Sequence, residues 1–201
     1  MFEKLKTVVD CIDFDTISES RREILQELIN YIDQKIEEDF PIALNFICTH
    51  NSRRSQFSQL WAKVAADFYW KQADCFSGGV EVTAFNERAV ASIERFGFDV
   101  EATGQENPLY LVRWKKDQRT LPMYSKLYDD ESSPSSSFAA VMTCAHADEN
   151  CPVVAGCERI IPVRYDDPKK YDDTPLEGVM YDYRSFQIAT EMFSVVSKIN
   201  K

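Results

Sequence analysis

Histidine is scarce in this 201-residue chain, where His50 and His146 are the only two. The six cysteines never form a Cys-x-x-Cys pair. A zinc centre draws on Cys and His at short spacings, so these scarcities argue against one and the reading has no metal ligands. There is also no apolar run of about 18 residues, the length a membrane-spanning helix needs. The N-terminal stretch MFEKLKTVVDCIDFD interrupts its apolar residues with acids and lacks a signal-peptide pattern. A cytoplasmic location is the resulting expectation, and in that compartment the cysteines are free, catalytic or redox-active rather than a disulfide framework. A basic excess is missing too. With 23 Lys and Arg against 33 Asp and Glu, the net charge is −10. Such a chain is not built to bind nucleic acid or an anionic membrane, and an anionic substrate would need a local cluster of positive charge.

The composition, 44% hydrophobic and 28% charged, is that of one globular domain, or one domain with an extension. Its organising stretch is ALNFICTHNSRRS, residues 43–55. The apolar run 43–47 reads as a buried strand ending on Cys48. A helical pattern then starts with Phe57, Leu60, Trp61, Val64, Ala65 and Phe68. Strand, tight loop and helix build an anion cradle: loop N–H groups converge, and the positive end of the helix dipole adds to them. Five residues, Thr49, His50, Asn51, Ser52 and Arg53, separate Cys48 from Arg54, about what a loop needs to circle one phosphate-sized ion. In that setting Cys48 is expected to act as a thiolate nucleophile. Arg54 can grip two oxygens of a tetrahedral oxyanion. The Ser55 hydroxyl can donate to the Cys48 sulfur. The plain alternative is a buried cysteine at a strand end followed by a basic helix start.

Residues 1–40 read as a helical N-terminal extension. Phe2, Leu5, Val8, Val9 and Ile12 form one apolar stripe, and Ile24, Leu25, Leu28, Ile29, Ile32 and Ile36 a second. Ser20 with Glu23 suggests a capping box, and Pro41 ends the stretch. This hairpin packs on the main domain or forms a dimer contact. Within 41–201, a strand is expected at 73–77, broken by Gly78-Gly79, and a helix at 86–96 with Gly97 as its C-cap. LYLVRW, 109–114, has strand character, with 124–128 pairing back as a hairpin. An acidic, serine-rich loop at 129–137 reads as mobile. Strands follow at 138–143 and 160–163, then a loop containing Asp166, Asp167 and Pro168, and an amphipathic helix at 181–198. Strands alternating with helices imply a parallel sheet of about four strands in an α/β domain. Ligands of such sheets bind beyond the carboxyl ends of the strands, where Cys48 and Cys144 both fall.

CTHNSRRS resembles the CTGNSCRS loop of the low-molecular-weight protein tyrosine phosphatases and of their relatives, the thioredoxin-coupled arsenate reductases. The resemblance spans residues 42–200, leaving 1–40 and 109–137 as additions. It implies a three-layer α/β fold with helices flanking the sheet, Asp167 of Asp167-Pro168 as general acid, and Asn51 as a brace of the loop. The arsenate reductases also carry a cysteine at a strand end and a second seven residues on, followed by proline. Here these are Cys144 and Cys151-Pro152. The resemblance therefore implies that arsenate is reduced through a Cys48, Cys144, Cys151 relay, with no bound cofactor and with electrons from thioredoxin. Cys157 is a competing resolving thiol or idle. The alternatives are hydrolysis of phosphate monoesters through a Cys48 thiophosphate, and a non-catalytic oxyanion-binding or redox-sensing protein. Two departures stand out: His50 replaces the family glycine, and Arg53 replaces the second loop cysteine. Where the phosphatases carry an aromatic after Asp-Pro, this chain has Lys169.

Overall fold

The computed structural model describes residues 1–117, 119–150 and 153–199. Cys151 and Pro152 lie outside the described residues. The chain begins with α1 (Glu3–Asp10) and α2 (Glu19–Glu37). It continues through β1 (Ala43–Cys48), α3 (Arg54–Phe68), β2 (Asp74–Gly79) and α4 (Glu87–Phe96). Then come β3 (Asp99–Thr103), β4 (Leu109–Arg113), β5 (Leu121–Met123) and β6 (Phe138–Met142). The last elements are α5 (Ala145–Asn150), β7 (Cys157–Pro162) and α6 (Glu177–Ser197). Among the described residues no helix is long and apolar enough to cross a membrane.

Four strands form a parallel sheet in the order β2-β1-β6-β7, as the βα alternation implied. Period-2 alternation sorts its side chains into two layers. Leu44, Phe46, Ala139 and Val141 join the larger core, together with residues of α2, α3 and α6. Ile47, Phe138, Ala140 and Met142 face the other way and pack with Ala147 of α5. In α3 the stripe Phe57, Leu60, Trp61, Val64 and Ala65 has no exposed surface at all. Trp61 meets Phe98 and Phe193 edge-on at 5.2 and 6.4 Å, and its indole N–H donates to Ser185 Oγ at 2.9 Å. Such a pairing lets a buried indole keep its hydrogen bond. The helices of residues 1–40 share this core through Leu5, Leu25, Leu28, Ile29 and Ile32.

Several local expectations are corrected. Helix α2 is capped by Ser18, which accepts from Arg21 N, and not by Ser20. Gly78 and Gly79 do not break β2 but continue it to its end. Their role is close approach: a Cβ at Gly78 would lie 2.2 Å from Tyr128 Cα, and one at Gly79 would lie 2.7 Å from Asn51 N. Strand β7 begins at Cys157, and α6 one turn before the expected Tyr181. Residues 124–128 do not form the second arm of a hairpin. A second, antiparallel sheet β3-β4-β5 stands there instead, with β5 pairing to β4 through Leu121–Met123. The Gly97 cap holds: its φ is +97°, in the left-handed region where glycine is at ease.

Candidate functional site

The 49–53 loop starts where β1 ends, in the middle of the sheet, and closes at the N-terminus of α3. Helices α2 and α4 carry side-chain caps on Ser18 and Asn86, whereas α3 has none. Ser52, just before it, spends its hydroxyl on Ala84 O at 2.7 Å. The first N–H groups of α3 are therefore left to whatever the loop encloses.

The side chains around the loop are buried and interlocked. Cys48 Sγ lies 3.1 Å from Ser55 Oγ. Asn51 Nδ2 donates to that same hydroxyl oxygen at 2.9 Å, which leaves the Ser55 proton free to point at the sulfur. The Asn51 carbonyl oxygens accept from Gln56 Nε2 at 2.9 and 3.2 Å, and its side chain accepts from Lys126 N at 3.0 Å. Asn51 also takes the loop's one strained conformation, φ +46°, which Asn tolerates better than most residues. The left-handed turn thus falls on Asn51 and not on His50, which explains how histidine stands where the family has glycine. His50 is half-buried, with Nε2 3.2 Å from Glu81 Oε2, and its carbonyl is fastened by Ser125 Oγ at 2.8 Å.

Gly79 supports this loop from below. Its Cβ would meet Glu81 O at 2.6 Å as well as Asn51 N. Gly79→Ala is expected to destabilise the fold by about 1–3 kcal/mol, through forced backbone shifts. It should also weaken phosphate binding, because the displaced atoms belong to the loop. Thermal melting and phosphate titration check this, and wild-type values in both would sink it.

Arg54 and Arg53 reach toward Asp167. Arg54 Nη2 is 2.7 Å from Asp167 Oδ2, Nη1 donates to Tyr165 O at 3.2 Å, and buried Nε has no hydrogen-bond partner among the described residues. Arg53 Nη1 is 3.7 Å from the same carboxylate oxygen, and its Nε donates to Tyr181 OH at 3.0 Å. Burial, and then the carboxylate of Asp172, holds the Tyr181 phenol above its usual range. It remains a donor to Asp172 Oδ1 at 2.8 Å while accepting from Arg53. Asp167 caps the 3₁₀ turn Pro168–Tyr171 through Lys169 N at 3.0 Å.

Cys144 follows β6 as Cys48 ends β1, and the two strands are direct neighbours with Ile47 opposite Met142. Cys144 Sγ is buried, 3.5 Å from Thr49 Oγ1 and 3.4 Å from Ala147 N. The other thiols differ. Burial pushes Cys75 up to about 12 and raises Cys157, so neither is a ready thiolate. Cys11 is exposed on the N-terminal segment.

A groove of about 450 Å³ opens beside the loop, lined by His50, Ser52, Arg53, Phe85, Tyr110 and Lys169. Tyr110 belongs to β4, the strand expected at 109–114, whose partners β3 and β5 sequence reasoning missed. Phe85 meets it edge-on at 5.5 Å.

Known proteins resemble this chain in sequence and in fold. Arsenate reductase 2 of Staphylococcus epidermidis is 26% identical over 123 residues, 61% of this chain and 76% of its own length. An arsenate reductase of Halalkalibacterium halodurans is 26% identical over 132 residues, 66% of this chain and 78% of its own. A low-molecular-weight phosphotyrosine phosphatase of Vibrio cholerae O395 superposes with a TM-score of 0.51 at 10% identity, over 78% of this chain and 95% of its own. The chain is similar to arsenate reductases and has the low-molecular-weight protein tyrosine phosphatase fold. No family model matches the chain. The resemblance read from CTHNSRRS therefore stands, and the named relatives that the chain is similar to are enzymes, arsenate reductases.

Proposed function

We propose that this chain is a cysteine-dependent arsenate reductase. The observation that supports it best is the second buried thiol: Cys144 sits at the strand end beside Cys48, within 3.5 Å of the loop residue Thr49. Hydrolysis of an ester needs one thiol, and reduction of arsenic needs a second.

Arsenate is held by the loop N–H groups and by Arg54, whose buried Nε lacks a partner among the described residues and would find one in an oxyanion. The Cys48 thiolate attacks arsenic, an S–As bond forms, and one oxygen leaves with a proton from Asp167. The Cys144 thiolate then attacks the Cys48 sulfur. A disulfide forms, the electron pair of the S–As bond passes to arsenic, and arsenic falls from the +5 to the +3 state as arsenite. Cys151 attacks Cys144, freeing Cys48 and leaving a Cys144–Cys151 disulfide, which a dithiol protein such as thioredoxin reduces with two electrons. No bound cofactor enters this cycle, and it suits a reducing compartment such as the cytoplasm.

The groove favours a second reading, phosphate monoester hydrolysis. It is several times larger than a tetrahedral oxyanion, and Tyr110 and Pro108 offer apolar surface to an ester group. The deciding experiment mixes reduced protein with arsenate, thioredoxin, thioredoxin reductase and NADPH, beside a p-nitrophenyl phosphate assay. Arsenate-dependent NADPH oxidation is expected. Phosphate release without it moves the chain to the phosphatase reading.

A further inference from the structure

A partly buried ion pair ties the N-terminal helices to the arginine of the loop. Arg21, in the first turn of α2, forks onto Glu191 of α6: Nε reaches Oε1 at 2.9 Å and Nη2 reaches Oε2 at 2.7 Å. The Glu191 carboxylate is 2% exposed and also accepts from Tyr165 OH at 2.8 Å and Gln187 Nε2 at 3.0 Å. Arg21 Nη1 donates to Arg164 O at 3.1 Å, and its guanidinium lies over the Tyr165 ring, 4.6 Å from the centroid. Arg21 and Glu191 together therefore grip residues 164–165 by side chain, ring face and backbone. That segment faces the site: Tyr165 O accepts from Arg54 Nη1, and two residues on lies Asp167, the other partner of Arg54. Tyr165 N donates to Thr143 O at 3.0 Å, so the grip is also anchored beside Cys144.

We propose that Arg21 is a positioning residue for the oxyanion site, with Glu191 and Tyr165 as its relay to Arg54. The proposal rests on the reading of Arg54 as the oxyanion-gripping arginine. Arg21 touches no substrate. It fixes the carbonyl and carboxylate against which the Arg54 guanidinium is aimed, and a bidentate fork holds a direction in a way a single ammonium cannot. The residues in 1–40 then serve the chemistry as well as the core.

A bare Arg21 truncation would leave Glu191 charged and buried, so the test removes both charges. Arg21→Met/Glu191→Gln keeps an acceptor for the Tyr165 hydroxyl and no orphan carboxylate. Its cooperative melt is expected to be retained, while KM for arsenate and Kd for inorganic phosphate rise about tenfold, the scale of a misaimed binding group. The kcat should change far less, since an arginine that binds substrate and transition state alike is lost from both. Arg21→Lys, which keeps the charge without the fork, should fall between wild type and the double variant, and it decides the matter alone if the double variant does not fold. Wild-type KM and Kd in Arg21→Lys and in any folded double variant overturn the proposal. Arg54→Lys serves as the control on the underlying reading. If it leaves phosphate affinity unchanged, the oxyanion assignment has failed, whereas a strong effect there with none at Arg21 counts against the relay alone.

Discussion

Cys48→Ser is expected to abolish both arsenate reduction and phosphate ester hydrolysis, by at least about ten-thousandfold, as loss of a nucleophile does elsewhere. The argument begins with the chemistry. A serine hydroxyl is a poor nucleophile without a general base beside it, whereas a thiol supplies some thiolate at neutral pH by itself. Among the described residues, the hydrogen-bond neighbour of Cys48 is not such a base. Ser55 Oγ is 3.1 Å away and is itself held by Asn51, and both partners are suited to stabilising a sulfur anion, not to removing a proton from an alcohol. The fold should survive, because the change is nearly isosteric and the Ser55 hydroxyl remains as a hydrogen-bond partner for the new one. Phosphate should still bind with Kd within about threefold of wild type, since the loop N–H groups and Arg54 are unchanged. Steady-state assays, melting and phosphate titration on one preparation separate these effects. Persisting turnover in a folded Cys48→Ser protein would mean that the reacting group lies elsewhere.

The organising loop was legible because its signals are local. An apolar strand, a cysteine, five loop residues, an arginine and an amphipathic helix follow one another within 26 residues, 43–68, and each obeys a short-range rule. The α4 helix was legible for the same reason, with Asn86 before it and Gly97 after it. What escaped reading is tertiary. Gly78 and Gly79 look like a chain break, yet they are small because Tyr128 and Asn51 come within a Cβ's reach from distant parts of the chain. Strand β3 reads Asp-Val-Glu-Ala-Thr and buries none of its side chains fully, so no hydrophobic alternation announces it. It exists because β4 pairs with it, with Arg113 bridging to Asp99 and Glu101. Arg53 read as a loop residue standing where the resembling family has its second cysteine. In the fold it is 8% exposed and committed to Tyr181, 128 residues away, so it docks α6 against the loop. The Arg21–Glu191 pair, 170 residues apart, has no sequence signature at all.

Cys144→Ser should divide the two chemistries the site is suited to. Thioredoxin-coupled arsenate reduction is expected to fall by about a thousandfold or more, because among the described residues no other thiol is placed at the strand end beside Cys48 to attack its sulfur. Without that attack the adduct can only revert to arsenate, so not even one equivalent of arsenite should form. Hydrolysis of p-nitrophenyl phosphate should stay within about twofold of wild type, since water and Asp167 suffice to break a thiophosphate. The substitution is mild for the fold. Cys144 is buried in the layer that holds Ile47, Met142 and Ala147, and a buried hydroxyl without partners would cost about 1–3 kcal/mol. Here Ala147 N and Thr49 Oγ1 already point at the sulfur and can serve the hydroxyl instead. Cys151→Ser completes the logic: Cys144 still attacks, one arsenite is released per chain, and the protein then stops as a Cys48–Cys144 disulfide, measurable by quenched-flow arsenite release and by mass after alkylation. If Cys144→Ser instead reduces arsenate at the wild-type rate, the resolving thiol is another cysteine. If it loses ester hydrolysis as strongly as arsenate reduction, then Cys144 supports the loop itself, and the two-thiol argument for reduction falls.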